Sequence, residues 1–267
     1  MTAVAAAGLP RRTGVGLGRI IASEWSKSWG LRSTRWSVAA TVAIGAVLCL
    51  LTTMDNAVGA EGYGHSLANL VGSNLLFAQL PLLVYGALTG AGEFAGRSAA
   101  STFTAVPARW PVLVAKALAV AGTAAIAAVA TLAVSSVILL LGPFGPDLQI
   151  ALDDGQSVRI LLGGGVAMVL LAVLGLGVGA LLRRPPIAIA VVFALGLSEL
   201  ALMGAATVAQ WLPGHALVAV TASTEFLEVV SSMGTTAVGP WASLGVLGAW
   251  GLGVLALAAL RLGRADV

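Results

Sequence analysis

Glu199 is the residue whose type and position are the most unusual in this sequence. It is the thirteenth of 22 residues in the apolar run Ile187–Val208, so a membrane-spanning helix over this run would place its carboxyl group near mid-membrane. An ionisable group at that depth costs at least ~2.5 kcal/mol on insertion scales. The functional hypothesis is a proton relay or a substrate contact. The alternative is a protonated or hydrogen-bonded carboxyl that joins two helices, and the sequence leaves both open.

Polar side chains in other apolar runs are further candidates for a translocation path. The candidate path residues are Asn74, Gln79, Ser135 and Glu199. Amides and hydroxyls in a lipid-embedded bundle either line a path or hydrogen-bond to neighbouring helices. These two interpretations also stay open.

Motifs for nucleotide, metal or covalent chemistry are not found in the sequence. A phosphate-binding loop needs a glycine followed by a lysine, but Lys27 and Lys116 follow a serine and an alanine. His65 and His215 are expected in external loops, and neither has a partner at helical spacing, which favours interfacial polar residues over zinc ligands. The single cysteine, Cys49, excludes an internal disulfide framework. We therefore expect no catalytic residue, no metal, no cofactor and no ATP hydrolysis in this chain.

Closely spaced glycines recur inside three apolar runs: Gly86 with Gly90, Gly175-Leu176-Gly177-Val178-Gly179, and Gly248 with Gly251-Leu252-Gly253. The second group superficially resembles a dinucleotide-binding loop, but no strand precedes it. Small residues at this spacing let membrane helices approach each other closely. We expect helix contacts at these glycines.

The composition excludes a soluble globular protein. Of the 267 residues, 58% are hydrophobic and 9% are charged, and the mean hydropathy is +0.99. A soluble domain carries about 25% charged residues because its surface faces water. We expect a single membrane domain, residues 1–267. The net charge of +3 does not indicate nucleic-acid binding, because the basic residues lie at the ends of apolar runs and form no patch.

Six apolar runs are long enough, or nearly so, to cross ~30 Å of hydrocarbon as helices. They are Trp36–Met54, Leu67–Gly90, Ala117–Leu141, Ile160–Leu182, Ile187–Val208 and Trp241–Leu260. Arg183-Arg184-Pro185-Pro186 forms a tight turn between the fourth and fifth runs. The alternating pattern of a membrane β-barrel is absent. The sequence predicts an all-α polytopic membrane protein with six transmembrane helices.

The basic residues predict the orientation of these helices. With the N-terminus inside, 13 of the 14 basic residues lie on the cytoplasmic side, and Arg159 is the exception. Basic residues are enriched on the cytoplasmic side of membrane proteins. We therefore expect both termini in the cytoplasm.

Three segments outside the runs carry further expectations. Residues 11–35 are predicted to form a cytoplasmic amphipathic helix, which either anchors at the interface or contacts a cytoplasmic partner. Its apolar stripe consists of Leu17, Ile21, Trp25 and Trp29. Residues 91–111 form the longest internal connection. Residues 210–240 form an external segment that is apolar enough to fold back as short surface or re-entrant helices.

Short motifs occur in order between residue 20 and about residue 215. They are Ser23-Glu24-Trp25-Ser26-Lys27, then Leu31-Arg32-Ser33-Thr34-Arg35-Trp36, then Glu93–Lys116 with its Glu-x-x-x-Arg start and Thr-Phe-Thr-Ala-Val-Pro centre, and then Glu199 followed by Gln210-Trp211-Leu212-Pro213-Gly214. Together with six spans, this order resembles actinobacterial ABC transporter permeases of the type-2 exporter class.

The resemblance implies a permease subunit with the type-2 ABC exporter fold and no ATPase site of its own. Two permeases, identical or paralogous, would form the path across a bacterial plasma membrane for small amphipathic, lipid or peptide substrates. Separate ATP-binding cassette subunits would bind ATP and Mg, and residues 91–111 would form the coupling region that receives them. The residues implied in coupling to the ATPase are Glu24, Lys27, Glu93, Phe94, Arg97 and Arg109.

Other function classes stay open. A secondary transporter would use Glu199 as its proton carrier, although the sequence shows neither an inverted repeat nor paired broken helices. A noncatalytic subunit of a membrane complex would transport nothing. An intramembrane enzyme would need paired catalytic groups at one depth, and Glu199 is the one such group found.

Overall fold

A computed structural model describes residues 16–54, 66–92, 110–142, 155–198, 206–232 and 238–264. These residues form helices, and no strand is found among them. The helices are α1 (Leu17–Gly30), α2 (Arg32–Met54), α3 (Leu67–Ala78), α4 (Leu80–Gly92), α5 (Trp110–Leu141), α6 (Gly155–Val158), α7 (Gly164–Leu182), α8 (Pro185–Gly196), α9 (Ala206–Ala209), α10 (Pro213–Thr221), α11 (Thr224–Ser232) and α12 (Pro240–Arg264). A π-helical turn, Arg159–Gly163, joins α6 to α7.

Five helical segments are long and apolar enough to cross a membrane. They are Arg32–Thr53, Leu67–Gly92, Trp110–Leu141, Gly155–Leu182 and Pro240–Arg261. They coincide with five of the six predicted runs, which confirms an all-α, multi-pass membrane protein.

The fifth predicted run, Ile187–Val208, differs from the others. Helix α8 is apolar but has 12 residues, which at 1.5 Å per residue rise about 18 Å. It ends at Gly196, and residues 199–205 lie outside the described residues. A sixth crossing therefore stays a prediction.

The turn between α7 and α8 follows from its four residues. Arg183 has a left-handed backbone with φ 58°, and its N–H donates to the carbonyl oxygen of Gly179 over 2.9 Å, which ends α7. Pro185 and Pro186 then occupy the first turn of α8, where a helix has no use for an N–H donor. The chain reverses direction within two residues, as the sequence predicts.

Helices α4 and α7 pack with their backbones in contact. A Cβ atom added at Gly86 would overlap the carbonyl oxygen of Ala172, and one added at Gly179 would overlap that of Ala87. The same holds for two further glycines, Gly90 and Gly175. The two helices run in the same direction, and the close approach expected from the glycine spacing is confirmed here. It is wrong for Gly248 and Gly253 of α12, where an added Cβ atom would meet no atom within 4 Å.

The other long helices surround this pair. Helix α12 packs on another side of α7, where a Cβ at Gly177 would lie 3.0 Å from the backbone nitrogen of Leu255. The start of α5 meets the ends of α7 and α12 through Leu113, Ala180 and Ala258. Because the arginine turn between α7 and α8 lies at this end, we call it the basic end of the bundle. The end where α3 and α12 begin is called the opposite end.

The glycine contact predicts a reversal of the usual effect of alanine. In a helix interior, Gly→Ala normally stabilises by roughly 0.5–1 kcal/mol. At Gly86 and Gly179 the added methyl group must push α4 and α7 apart, so Gly86→Ala and Gly179→Ala are expected to destabilise by about 1–3 kcal/mol. Thermal unfolding of the purified protein in detergent measures the difference.

Gly245→Ala is the matched control, because a Cβ at Gly245 meets no atom within 4 Å. It is expected to leave the unfolding temperature unchanged or to raise it. Equal unfolding temperatures for Gly179→Ala and Gly245→Ala would contradict the backbone contact.

Candidate functional sites

Glu24 lies in a buried ion-pair cluster at the basic end. Its Oε2 is 3.3 Å from Lys116 Nζ on α5, and its Oε1 is 2.5 Å from Lys27 Nζ one turn along α1. Glu24 is 4% exposed, whereas the Lys27 side chain is 55% exposed. Glu24 therefore joins α1 to the start of α5. Of the two residues implied in coupling on α1, Lys27 is the one with a surface that a partner can contact.

The buried face of α1 differs from the apolar stripe seen in its sequence. Ile20, Glu24 and Ser28 face the bundle, and Ile20 packs against Val112 and Ala115 of α5. In the predicted stripe, Leu17 and Trp25 are exposed. A helix with a bundle-facing carboxylate and an exposed apolar edge suits the lipid–water interface.

The remaining coupling candidates and one path candidate lie outside the described residues. They are Glu93, Phe94, Arg97, Arg109 and Glu199. Helix α5 begins at Trp110, so the predicted coupling region 91–111 leads directly into the helix on which α1 docks.

Asn74 and Ser135 meet at Cys49 of α2. The Asn74 amide donates to Cys49 Sγ over 3.3 Å and to the carbonyl oxygen of Leu70 over 3.0 Å. Ser135 of α5 hydrogen-bonds with the same thiol. All three side chains of this cluster are buried. The cluster joins α2, α3 and α5, so a transport path at this place would require these helices to separate.

Gln79 lies apart from that cluster, at the kink between α3 and α4. Pro81 follows it in the first turn of α4, and a proline in a helix removes a backbone hydrogen bond. Gln79 is fully buried, and its Nε2 donates to the carbonyl oxygen of Gly196 over 3.4 Å. Its Oε1 has no hydrogen-bond partner among the described residues. A buried acceptor without a donor costs about 1–3 kcal/mol.

The end of α8 and the start of α10 meet beside Gln79. The N–H of Gly214 donates to Ser198 Oγ over 3.2 Å, and the Ser198 hydroxyl donates to the carbonyl oxygen of Leu195 over 2.8 Å. A Cβ at Gly214 would lie 2.8 Å from the carbonyl oxygen of Gly196, so the close approach requires glycine. The structure thus brings Gln79 next to the chain segment that immediately precedes Glu199.

Arg159 holds the other end of α10, at the opposite end of the bundle. It is 6% exposed, and its guanidinium donates to the carbonyl oxygens of Ala219, Val220 and Ala222 over 3.3, 3.0 and 2.9 Å. A cation at the carbonyl end of a helix is favoured by the helix dipole. The one basic residue that breaks the charge bias therefore has a structural role.

Gln156 makes a second link at this end. Its Nε2 donates to Asn69 Oδ1 of α3 over 3.3 Å. Its Oε1 accepts from the N–H of Thr224 over 3.1 Å and from the Thr224 hydroxyl. The amide thereby fixes the start of α11 against α3.

The expectation that His215 lies in a loop is wrong. His215 lies in the first turn of α10 and is 8% exposed, because α10 is inserted into the bundle. His65 lies outside the described residues. Among the residues that the structure describes, no three His, Cys, Asp or Glu side chains come close enough to hold a metal ion.

Lys116 and Gln156 are the site residues that sequence reasoning missed. Lys116 begins an apolar run, and its pairing with Glu24 spans 92 positions of the sequence, so no local pattern signals it. Gln156 has no apolar periodicity around it. The available signal was the scarcity of charge: a lysine and a carboxylate at the same end of a lipid-embedded bundle are expected to pair.

The fold and these contacts define the chain as an all-α, multi-pass membrane protein. Buried polar groups are paired at both ends of its bundle and meet again where α8 and α10 approach each other. Comparison with known protein families, with curated proteins and with solved structures gave no match.

The Glu24 contact predicts that α1 loosens when the carboxylate is neutralised. Glu24→Gln removes a buried ion pair whose loss costs on the order of 3 kcal/mol. Ser28, which is buried against the bundle, serves as the reporter after Ser28→Cys substitution in a Cys49→Ser background. We expect maleimide to label this position at least about tenfold faster when Glu24→Gln is added.

Lys27→Gln is the control, because the Lys27 side chain is 55% exposed and its removal leaves Glu24 paired with the buried Lys116. It is expected to leave the labelling rate nearly unchanged. Identical rates for Glu24→Gln and Lys27→Gln would show that the buried pair does not hold α1 in place.

Proposed function

We propose that this chain is the membrane-spanning permease subunit of an ATP-driven ABC exporter of the type-2 class. It would form the substrate path with a second permease copy or a paralogue, in the plasma membrane of a bacterium. A separate ATP-binding cassette subunit would bind ATP and Mg and supply the energy. The chain itself would be no enzyme.

The observation that carries this proposal is the docking of α1 on α5. The predicted coupling region 91–111 continues into α5, and Glu24 ties α1 to Lys116 in the second turn of that helix. A displacement of the coupling region would therefore move α1 and α5 together. Two helices that move as one unit are suited to a subunit that responds to conformational changes of a separate ATPase.

The interrupted α8–α10 segment supports a sixth crossing. Helix α8 rises about 18 Å and the nine residues of α10 about 14 Å, and the two meet at Gly196 and Gly214. Together they match the ~30 Å of hydrocarbon. Six crossings would place both termini on one side, which the charge bias assigns to the cytoplasm. Helix α11 lies within the segment 210–240, which the sequence predicts to be external.

A proton-coupled secondary transporter is the second candidate, and one observation favours it. The interruption between α8 and α10 meets the kink at Gln79, and secondary transporters commonly bind their substrates between interrupted helices near mid-membrane. Glu199 follows this place in the sequence and would carry the proton. A noncatalytic subunit of a membrane complex is the third alternative.

The orientation is tested by labelling intact cells. Glu225 on α11 and Arg184 in the α7–α8 turn are both exposed, so each is replaced by cysteine in the Cys49→Ser background. With both termini in the cytoplasm, an impermeant maleimide is expected to label Glu225→Cys from outside and Arg184→Cys only after lysis. The reverse result would overturn the orientation.

Energy coupling is tested on complexes extracted from native membranes in mild detergent. The full chain is expected to bring down an ATPase with vanadate-sensitive activity, and the chain alone is expected to bind no ATP because it lacks a phosphate-binding loop. Glu93→Ala combined with Arg97→Ala should lower that activity about tenfold or more if these residues hold the ATPase. Glu225→Ala at the opposite end is the control.

The absence of any co-purified ATPase, or full activity in the double variant, would contradict this assignment. The variant Glu199→Gln distinguishes the ATP-driven exporter from the second candidate, the proton-coupled transporter. An ATP-driven exporter is expected to keep its ATPase activity in this variant. A proton-coupled transporter would instead lose proton movement in proteoliposomes, read with a pH-sensitive dye, while it assembles normally.

A further inference from the structure

A cavity of about 760 Å³ lies at the opposite end of the bundle, between α6, the π-helical turn, α11 and the start of α12. Its size falls within the range of pockets that hold drug-sized ligands. The walls combine apolar groups with two charged residues. The residues that matter for recognition are Gln156, Arg159, Thr224, Leu227, Glu228 and Trp241.

The walls fit an amphipathic molecule. Leu227 and the neighbouring Pro240 supply aliphatic surface, and the Trp241 indole is 63% exposed. Trp241 stands in the second position of a membrane-length helix, where indoles lie at the headgroup level of the bilayer. A ligand would therefore reach the cavity from the interface, with its apolar part against these side chains.

The charge of the cavity favours a cation. Arg159 lines it but is 6% exposed, and its guanidinium donates to three carbonyl oxygens at the end of α10, so little of its positive charge is accessible to a ligand. Glu228, on the exposed side of α11, adds a carboxylate to the rim. A carboxylate offers about four acceptor positions, so it can hold a ligand in addition to other contacts.

Trp241 and Glu228 together form a recognition pair for organic cations. The face of an indole attracts an ammonium or phosphonium group through its quadrupole, most strongly among the aromatic side chains. Gln156 fixes the geometry of the opening, because its bonds to Thr224 and Asn69 hold α11 against α3.

We propose that this cavity is a binding site for amphipathic organic cations, with Glu228 and Trp241 as the residues that select them. That the bound cation is an exported substrate rests on the proposed function. Binding itself requires neither the ATPase nor nucleotide.

The test uses two probes of nearly the same size and shape but opposite charge, tetraphenylphosphonium and tetraphenylborate. Their binding to the full chain in detergent is measured by isothermal titration calorimetry. Glu228→Gln is expected to weaken tetraphenylphosphonium binding about tenfold, since one charged contact is lost. Trp241→Ala is expected to weaken it to a similar extent, and Trp241→Phe less, because the ring face is kept. Tetraphenylborate binding is expected not to weaken in Glu228→Gln.

Glu225→Gln is the matched control, because Glu225 lies on the same helix but does not line the cavity. Both carboxylates are exposed, so neither substitution threatens the fold. Unchanged tetraphenylphosphonium binding in Glu228→Gln would overturn the proposal, as would equal weakening in Glu225→Gln or tighter binding of the anion. If the chain binds the cation with this pattern but no ATPase co-purifies with it, the cation-binding site is supported and the proposed exporter function is contradicted.

Discussion

The backbone contact between α4 and α7 is the constraint on which the rest of the bundle depends. Lipid gives helices no hydrophobic reason to associate, so close packing must hold them together. Glycines on both helices place backbone against backbone, and α7 uses its next face, at Gly177, for α12. In the 18-residue apolar stretch of Gly155–Leu182, 61% of the residues are accordingly buried, whereas the share is 22% in the corresponding stretches of Arg32–Thr53 and of Pro240–Arg261. The outer helices are positioned by the central pair.

Charged groups organise the two ends of this apolar bundle. Within a medium of low dielectric an unpaired charge is costly, so each buried charge needs a partner on another element. Glu24 reaches Lys116 and fixes α1 at the basic end. Arg159 reaches the carbonyl end of α10 and fixes that helix at the opposite end. The elements outside the long helices are thereby held where the bundle meets water.

Length, hydropathy and glycine spacing were enough to predict the five long helices and the close helix approach at Gly86 and at Gly179, because these depend on local pattern and on the bilayer. The sequence pattern did not predict those features that depend on tertiary contacts, such as the end of a helix or the burial of a side chain. The run Ile187–Val208 reads as one apolar helix, yet α8 ends at Gly196, where α10 packs against it. His215 was assigned to a loop because no periodicity shows that α10 enters the bundle. The burial of Glu24 depends on a lysine 92 positions away, which no local pattern contains.

The contact between α8 and α10 combines close backbone packing with buried polar groups. Helix α8 is fixed at its proline start beside the basic end, and α10 is fixed at its carbonyl end by Arg159. At the contact between them the N–H of Gly214 donates to Ser198 Oγ, Gln79 Nε2 donates to the carbonyl oxygen of Gly196, and Gln79 Oε1 has no donor among the described residues. A Cβ atom at Gly214 would lie 2.8 Å from the carbonyl oxygen of Gly196, so this contact is close in the same way as the α4–α7 contact. It differs from that contact in its buried polar groups, which need partners inside an apolar bundle.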